Sequence, residues 1–128
     1  MVSEITLGIE VGVETFYQEA HSFPLQNRFV FAYKIHLYNH NTFTVQLLRR
    51  KWIITNSLGE VEIVEGEGVV GRQPILYTGD EHEYVSGSNM NTPLGKMEGI
   101  YYFENKASRE IFEVKIPAFR LEAPFIMN

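Results

Sequence analysis

Four glutamates in the middle of the chain are the side chains best suited to bind a metal ion: Glu60, Glu62, Glu65 and Glu67. Hard divalent cations take carboxylate oxygens as ligands, and Glu60 and Glu62 would share a strand face because alternate residues point the same way. A solvated acidic edge, which keeps a strand from pairing with other chains, explains the same glutamates better. We therefore expect weak binding of a divalent cation at best, near these glutamates or near a second acidic stretch at 80–83.

A glycine-rich segment follows, in which Gly66, Gly68 and Gly71 have the G-x-G-x-x-G spacing of dinucleotide-binding loops. That spacing binds a pyrophosphate only where it opens a helix. Pro74 would fall in the first turn of such a helix, and Gly79 would end it soon afterwards. The two glutamates that flank the loop would each repel a phosphate by about 1 to 4 kcal/mol. We interpret the glycines as structural residues of a turn and bulge, and we expect no bound cofactor.

Other catalytic chemistry finds little support in the sequence. The chain contains no cysteine, which excludes disulfides, thiol nucleophiles and thiolate metal sites. Its four histidines do not form the HxH or HxxxH pairs that would suit a zinc site. No serine has the setting of a nucleophile elbow, and no pair of acidic residues stands apart from the rest. We predict that the protein is not an enzyme.

Aromatic side chains are the remaining candidates for binding, with nine phenylalanines, seven tyrosines and one tryptophan. In the run Tyr101-Tyr102-Phe103, neighbouring rings of a strand point to opposite faces, so at least one should face outward or into a groove. With Tyr84 on another predicted strand, these rings are the predicted contact surface for a partner protein. The alternative is that they belong to a well-covered second sheet face.

Charge and composition limit the possible binding partners and the possible cellular location of the protein. The formal charge of −5 argues against a nucleic-acid-binding protein. The short basic run Arg49-Arg50-Lys51 is better explained by strand residues that face solvent than by a phosphate-binding site. The amino terminus lacks the pattern of a signal peptide, and no window approaches the roughly 18 apolar residues of a membrane helix. A cysteine-free chain favours the cytoplasm. Its 128 residues predict one domain, 1–128. Assembly of this domain into a homo-oligomer is one of the alternatives.

Strand signals dominate the whole chain. Odd-numbered apolar residues alternate with mostly polar or small ones over 5–13, which predicts one half-buried strand. Up to residue 20, at most one helical turn or a bent strand end is expected. The alternation over 29–37 is stronger, and Asn39-His40-Asn41 predicts a hairpin turn after it. Further strands are predicted at 42–56, 61–64, 69–76, 81–85, 95–104 and 111–116, with turns at 56–59 and 105–108. Seven to eight antiparallel strands without crossover helices predict an all-β sandwich.

The segment around Trp52 predicts a local irregularity. Val45 and Leu47 have odd numbers, whereas Trp52 and Ile54 have even numbers, so a regular strand would place the two pairs on opposite faces. One β-bulge within 48–51 would bring all four into the core and turn the basic residues outward, as their desolvation cost requires. We therefore predict a buried Trp52 with a bulge just before it.

A series of motifs, in order along nearly the whole chain, resembles the ApaG family. The matching blocks are SFP at 22–24, FAYKI at 31–35, QLLRRKWIIT at 46–55, GEGVVGRQP at 66–74, YVSG at 84–87, GKMEGIY at 95–101 and IPAFRL at 116–121.

The resemblance implies a fibronectin type III or immunoglobulin-like sandwich. Bacterial members are associated with cobalt resistance and magnesium efflux, and related eukaryotic domains in F-box proteins and a polymerase-delta-interacting protein look like protein-binding modules. Two functions are therefore expected as alternatives. One is a non-enzymatic module that binds a partner protein, and the other is a domain that binds a divalent cation or a phosphorylated metabolite.

Overall fold

The computed structural model describes residues 1–127, which form β-strands joined by turns and short 3₁₀ helices. The strands are β1 (Val2–Thr6), β2 (Ile9–Tyr17), β3 (Phe29–Asn39), β4 (Val45–Asn56), β5 (Val61–Glu67), β6 (Ile75–Leu76), β7 (Glu81–Met90), β8 (Leu94–Asn105) and β9 (Ile111–Glu122). The 3₁₀ helices are Glu19–His21, Pro24–Gln26 and Pro124–Met127.

These strands form two antiparallel sheets that pack face to face around one hydrophobic core. One sheet has the order β1-β2-β3-β7, and the other has the order β5-β4-β8-β9, with β6 also paired to β4. Alternate residues of β3, from Phe29 to Asn39, are buried, as the period of a strand requires. The predicted all-β sandwich is confirmed. The described residues form one strand more than the upper number expected, because the first predicted strand is divided in two. The predicted strand at 69–76 is shorter than expected, since only β6 is formed there.

The first predicted strand is wrong, because residues 2–17 form a hairpin. Leu7 and Gly8 have φ angles of 49° and 81° and make its two-residue turn. Ile5 pairs with Glu10 across this hairpin. Since residues directly opposite each other share a face, Ile5 points away from the side that Ile9 occupies. Ile9 is accordingly fully buried, whereas Ile5 is exposed.

The predicted hairpin at 39–41 is also wrong, because β3 and β4 belong to different sheets and the chain crosses between them. Asn39 ends β3 and is fully buried. Its side-chain amide donates to the carbonyl oxygens of Phe43 and Leu76, at 3.0 Å each. These bonds remove the cost of leaving loop carbonyls unpaired in the interior.

The other predicted turns agree with the structure. Residues 57–60 join β4 to β5 and residues 106–110 join β8 to β9, both as antiparallel hairpins. The only helical structure near residue 20 is short, as expected. Within residues 1–127, no helix has the length and apolar character needed to cross a membrane.

β4 contains the irregularity predicted before Trp52. Its register against β8 shifts between Leu47 and Arg49, so Leu48 is an extra residue in β4. Trp52 is only 3% exposed. Its ring packs edge-on against Tyr33, with 5.4 Å between ring centroids. The prediction of a buried tryptophan behind a β-bulge is confirmed.

Replacing Trp52 with alanine should lower the free energy of unfolding by about 3 to 5 kcal/mol, because the truncation leaves a large cavity in the core. Urea unfolding followed by circular dichroism measures this change. Ile53→Ala, at the next position on the outer face of β4, is the control and should cost clearly less. Equal losses for the two variants would contradict the placement of Trp52.

Candidate functional site

The two sides of the sandwich are closed differently. On one side β1 and β9 lie close together, and the backbone amide of Lys115 donates to the hydroxyl of Thr6 at 3.3 Å across the two sheets. On the other side β5 and β7 are edge strands, each with a single neighbouring strand in the described part of the chain. A cleft opens there between the inner faces of the two sheets.

The centre of this cleft is a small pocket of about 160 Å³. We call it the β7 cleft; it is lined by Tyr33, Arg50, Trp52, Val69, Val70, Tyr84, Val85 and Ser86. Tyr33 of β3 pairs directly with Ser86 of β7, so both side chains point inward from the same sheet. Arg50 and Trp52 enter from β4, and the two valines at 69–70 come from the glycine loop that follows β5.

Arg50 is the charged residue of the β7 cleft, and its position corrects one prediction. The basic residues before Trp52 were expected to face outward together, yet after the bulge Arg50 shares the inner face with Trp52. Its Nη1 donates to the backbone oxygens of Glu67 and Gly68, at 3.0 and 2.9 Å. These charge-assisted bonds offset the desolvation that the parity argument treated as prohibitive.

Its two basic neighbours do face outward. Arg49 is exposed, and its guanidinium carbon lies 4.1 Å from the centroid of the Tyr102 ring, a cation–π arrangement on the outer face of the sheet. Lys51 is paired with Glu65 across β4 and β5, and Arg49 with Glu67. The outer face therefore carries opposite charges side by side.

Tyr84 forms the floor of the β7 cleft, and Tyr101 lies buried beneath it. The hydroxyl groups of Tyr84 and Tyr101 are hydrogen-bonded to each other. Burial raises the pKa of Tyr101 well above its usual value, and burial also raises the pKa of Tyr84. The pKa of Tyr33 is raised by burial as well, although its hydrogen bond with Ser86 and the charge of Arg50 act in the opposite direction. All three phenols are therefore neutral at physiological pH.

The predicted partner-binding rings do not form one surface. Tyr101 is 0% exposed and Phe103 is fully buried, so their assignment to a contact surface is corrected: both belong to the core. Tyr102 faces the opposite side and is half-buried under Arg49. Of the four candidates, Tyr84 alone lies in the β7 cleft.

The glycine loop is a turn, as its interpretation as a structural element requires. Val69 and Arg72 exchange backbone hydrogen bonds of 2.7 and 3.0 Å, and Gly71 lies within this turn. Gly68 has a φ of 60°, and a Cβ there would overlap with the carbonyl oxygen of Arg72. Gly66 leaves room for Arg50, whose Nη1 lies 2.9 Å from where a Cβ would stand. The loop leads into β6, so a helix that would bind pyrophosphate does not follow it.

The four glutamates also fall into two groups. Glu60 and Glu62 line a polar pocket of about 270 Å³ beside Asn56, and the side-chain amide of Asn56 donates to Glu60 at 2.6 Å. Glu65 and Glu67 lie on the outer face of β5, paired with basic residues. Within the described residues, no three histidine, cysteine or acidic side chains form a group that could hold a metal ion.

Sequence reasoning missed Arg50, Tyr33 and Ser86. The signal for Arg50 was present, since the bulge that brings Trp52 inward also brings inward the residue two positions before it. For Tyr33 and Ser86 the sequence held no signal, because their meeting depends on the pairing of β3 with β7.

Known proteins match this chain over almost its whole length. A family model described as the ApaG domain matches residues 19–105. Protein ApaG of Paramagnetospirillum magneticum is 47% identical over 124 residues, which cover 97% of this chain and 95% of that protein. Protein ApaG of Proteus mirabilis is 42% identical over 120 residues, which cover 94% of this chain and 95% of that protein.

A solved structure shows the same architecture. The crystal structure described as an ApaA protein from Bordetella pertussis superposes with a TM-score of 0.87 at 39% sequence identity. The superposition covers 91% of this chain and 94% of that one.

Two glycine substitutions test the role of the loop. Gly68→Ala and Gly71→Ala both place a Cβ at a positive φ, which costs about 1 to 2 kcal/mol. Only at Gly68 does the new atom also meet a backbone oxygen, whereas no atom lies within 4 Å at Gly71. Urea unfolding should therefore show Gly68→Ala to be less stable than Gly71→Ala by a further 1 kcal/mol or so, on the scale of overpacking costs. Equal stabilities would contradict the tight turn.

The buried tyrosine pair predicts a loss of stability in alkali. Above about pH 10 the unfolded chain releases phenol protons that the folded protein keeps, since burial raises the pKa of Tyr84 and Tyr101. Stability is therefore fully present below that pH and falls as the pH rises, by about 1.4 kcal/mol per pH unit for each such tyrosine. The unfolded tyrosine is only half deprotonated at pH 10, so Tyr101→Phe should reduce the loss of stability between pH 10 and 11 by about 1 kcal/mol. An unchanged slope in urea unfolding would refute the assignment.

Proposed function

The chain belongs to the ApaG domain family, and we propose that it is a non-enzymatic module that binds an extended segment of a partner protein along β7. The segment would add to the free edge of β7 as a further antiparallel or parallel strand. In this mode of recognition, backbone hydrogen bonds supply affinity and pockets for alternate side chains supply specificity.

The observation that carries this proposal is the unpaired edge of β7 beside an open cleft. β7 runs from Glu81 to Met90 at the end of its sheet. Residues 85–89 within it contain no charge and no proline, the two features that most often protect an edge strand. Val85 is 56% exposed on its outer face. A strand added here would place alternate side chains over the β7 cleft.

The edge of β5 suits this role less well. It carries Glu62, Glu65 and Glu67, and charged side chains along an edge discourage further pairing. On β7 the acidic residues are Glu81, at its first position, and Glu83, which lies 3.3 Å from Lys34 and 2.8 Å from His36. Opposite charges beside Glu83 reduce the repulsion that an incoming strand would meet.

The other elements of the proposal follow from the family and the sequence. We infer a cytoplasmic protein that needs no cofactor. Its association with cobalt and magnesium homeostasis would then arise through the protein to which it binds. A second copy of the chain is one candidate for that partner, because two β7 edges could pair with each other.

The small-ligand alternative divides into two cases. Of the four predicted glutamates, Glu60 and Glu62 alone share a pocket, which would leave several waters on a divalent cation and give weak binding. A phosphorylated ligand has better support, since hydrogen-bond donors line the β7 cleft.

Val85→Lys tests the partner-binding proposal, because a lysine on the edge should prevent strand addition. The immobilised parent, Val85→Lys and the matched control Ile63→Lys are each used to capture proteins from cell extract, followed by mass spectrometry. Ile63 is exposed on β5 to nearly the same extent, at 58% against 56%. We expect a protein captured by the parent and by Ile63→Lys to be lost with Val85→Lys.

Light scattering on the same three proteins separates the possible partners. A dimer that dissociates in Val85→Lys identifies a second copy as the occupant, whereas monomers throughout point to a different protein. Capture that is unaffected by Val85→Lys but lost in Ile63→Lys would move the site to β5 and overturn the proposal.

A further inference from the structure

We infer that the β7 cleft is a binding site for a single oxyanion group, either a carboxylate or a phosphate, held by Arg50, Tyr84 and Ser86. This inference does not rest on strand addition to β7. It deepens the small-ligand alternative by naming the site and the chemical group. Three features of the cleft support the site: the donors of Arg50, the protons of the hydroxyl groups, and the size and charge of the pocket.

Arg50 has donors to spare. Its Nη1 protons are used by the backbone oxygens of Glu67 and Gly68. Its Nη2 and Nε protons have no acceptor among residues 1–127. The two bonds at Nη1 fix the plane of the guanidinium, so the remaining donors are held in place at the wall of the pocket. A planar group with parallel donors is well suited to bind a carboxylate or a phosphate.

The hydroxyl groups of the cleft also have protons in excess. Tyr84 and Tyr101 have two hydroxyl protons, and the bond between them uses one. Because Tyr101 is fully buried and needs a partner for its proton, it donates to Tyr84, which directs the proton of Tyr84 toward the cleft. Tyr33 and Ser86 also line the cleft, and each has a hydroxyl group that can donate. The cleft therefore offers donors to an acceptor that the described residues do not supply.

Size and charge agree with an oxyanion. A volume of about 160 Å³ exceeds the roughly 30 Å³ that one water molecule takes, which leaves room for a small polyatomic group. No carboxylate lines the pocket. The nearest acidic side chains of β5, Glu65 and Glu67, are on the outer face opposite Lys51 and Arg49. The positive charge of Arg50 is therefore not neutralised by an acidic side chain within the site.

Titration with inorganic phosphate and with acetate tests the inference, with sodium chloride at matched ionic strength as the control. Two signals report on the site: the Nε–H resonance of Arg50, and the fluorescence of Trp52, which lines the pocket and is the chain's one tryptophan. We expect both signals to change together and to saturate at millimolar concentrations of at least one oxyanion, with no such change in chloride.

Matched substitutions locate the binding. Arg50→Gln and Arg49→Gln remove the same charge from adjacent positions, but only Arg50 faces the cleft. Arg50→Gln should weaken binding roughly tenfold or more, the loss expected for a charge-assisted bond, while Arg49→Gln leaves it unchanged. Tyr84→Phe removes one donor and preserves the contacts of Arg50 with the loop. It should weaken binding roughly 3- to 10-fold, so the inference stays testable if Arg50→Gln does not fold.

Each result has a defined meaning. Saturation by phosphate alone identifies a free phosphorylated ligand, saturation by acetate alone identifies a carboxylate such as one on a partner protein, and saturation by both supports a general oxyanion site. No saturable response to either anion, or equal weakening by Arg49→Gln and Arg50→Gln, would overturn the inference. The capture experiment with the parent and Val85→Lys is carried out without these anions. A failure of the strand-addition proposal can therefore be distinguished from a failure of the oxyanion-site proposal.

Discussion

The extra residue Leu48 in β4 is the local constraint on which the open side of the sandwich depends. Before it, Val45 and Leu47 point into the core, and after it Trp52 does so. Without the bulge, Trp52 would face outward and the interior between Tyr33 and β8 would lack its largest side chain. The same shift turns Arg50 inward, where it contacts the glycine loop. One inserted residue thus determines both the core packing and the charge of the β7 cleft.

The sequence predicted the bulge but not all of its consequences. Counting the parity of apolar residues was sufficient for Trp52, because burial of a large ring dominates the energy of that position. For Arg50 the same counting gave the right direction, but the desolvation cost was used to reject it. That desolvation cost is offset by hydrogen bonds to carbonyl oxygens of the loop. The local sequence around Arg50 does not show that these acceptors lie nearby. A charged residue between two buried positions therefore needs a search for nearby backbone acceptors before it is assigned to solvent.

The two wrong predictions, one strand over 5–13 and a hairpin turn at 39–41, have a related origin. A two-residue turn leaves the odd–even alternation of the sequence intact, so residues 5–13 look like one strand although Leu7 and Gly8 reverse the chain. The alternation cannot show that the faces exchange after the turn. At 39–41, a turn-prone composition predicts a change of direction but not whether the next strand joins the same sheet. The crossing between the sheets is stabilised by hydrogen bonds from the Asn39 amide to the carbonyl oxygens of Phe43 and Leu76. The sequence pattern does not show that Leu76 lies near Asn39.

The aromatic candidates show how the core and the cleft are connected. Tyr101 and Phe103 were among the predicted contact residues because neighbouring rings of the run 101–103 point to opposite faces, yet both complete the core. A phenol in that core is costly unless its hydroxyl is bonded, and its partner is Tyr84 at the floor of the cleft. A phenylalanine at 101 would avoid that requirement, but it would also free the hydroxyl of Tyr84 from its fixed position. The buried tyrosine therefore holds Tyr84 in place, and the polarity of the β7 cleft has its origin in the hydrophobic interior beneath it.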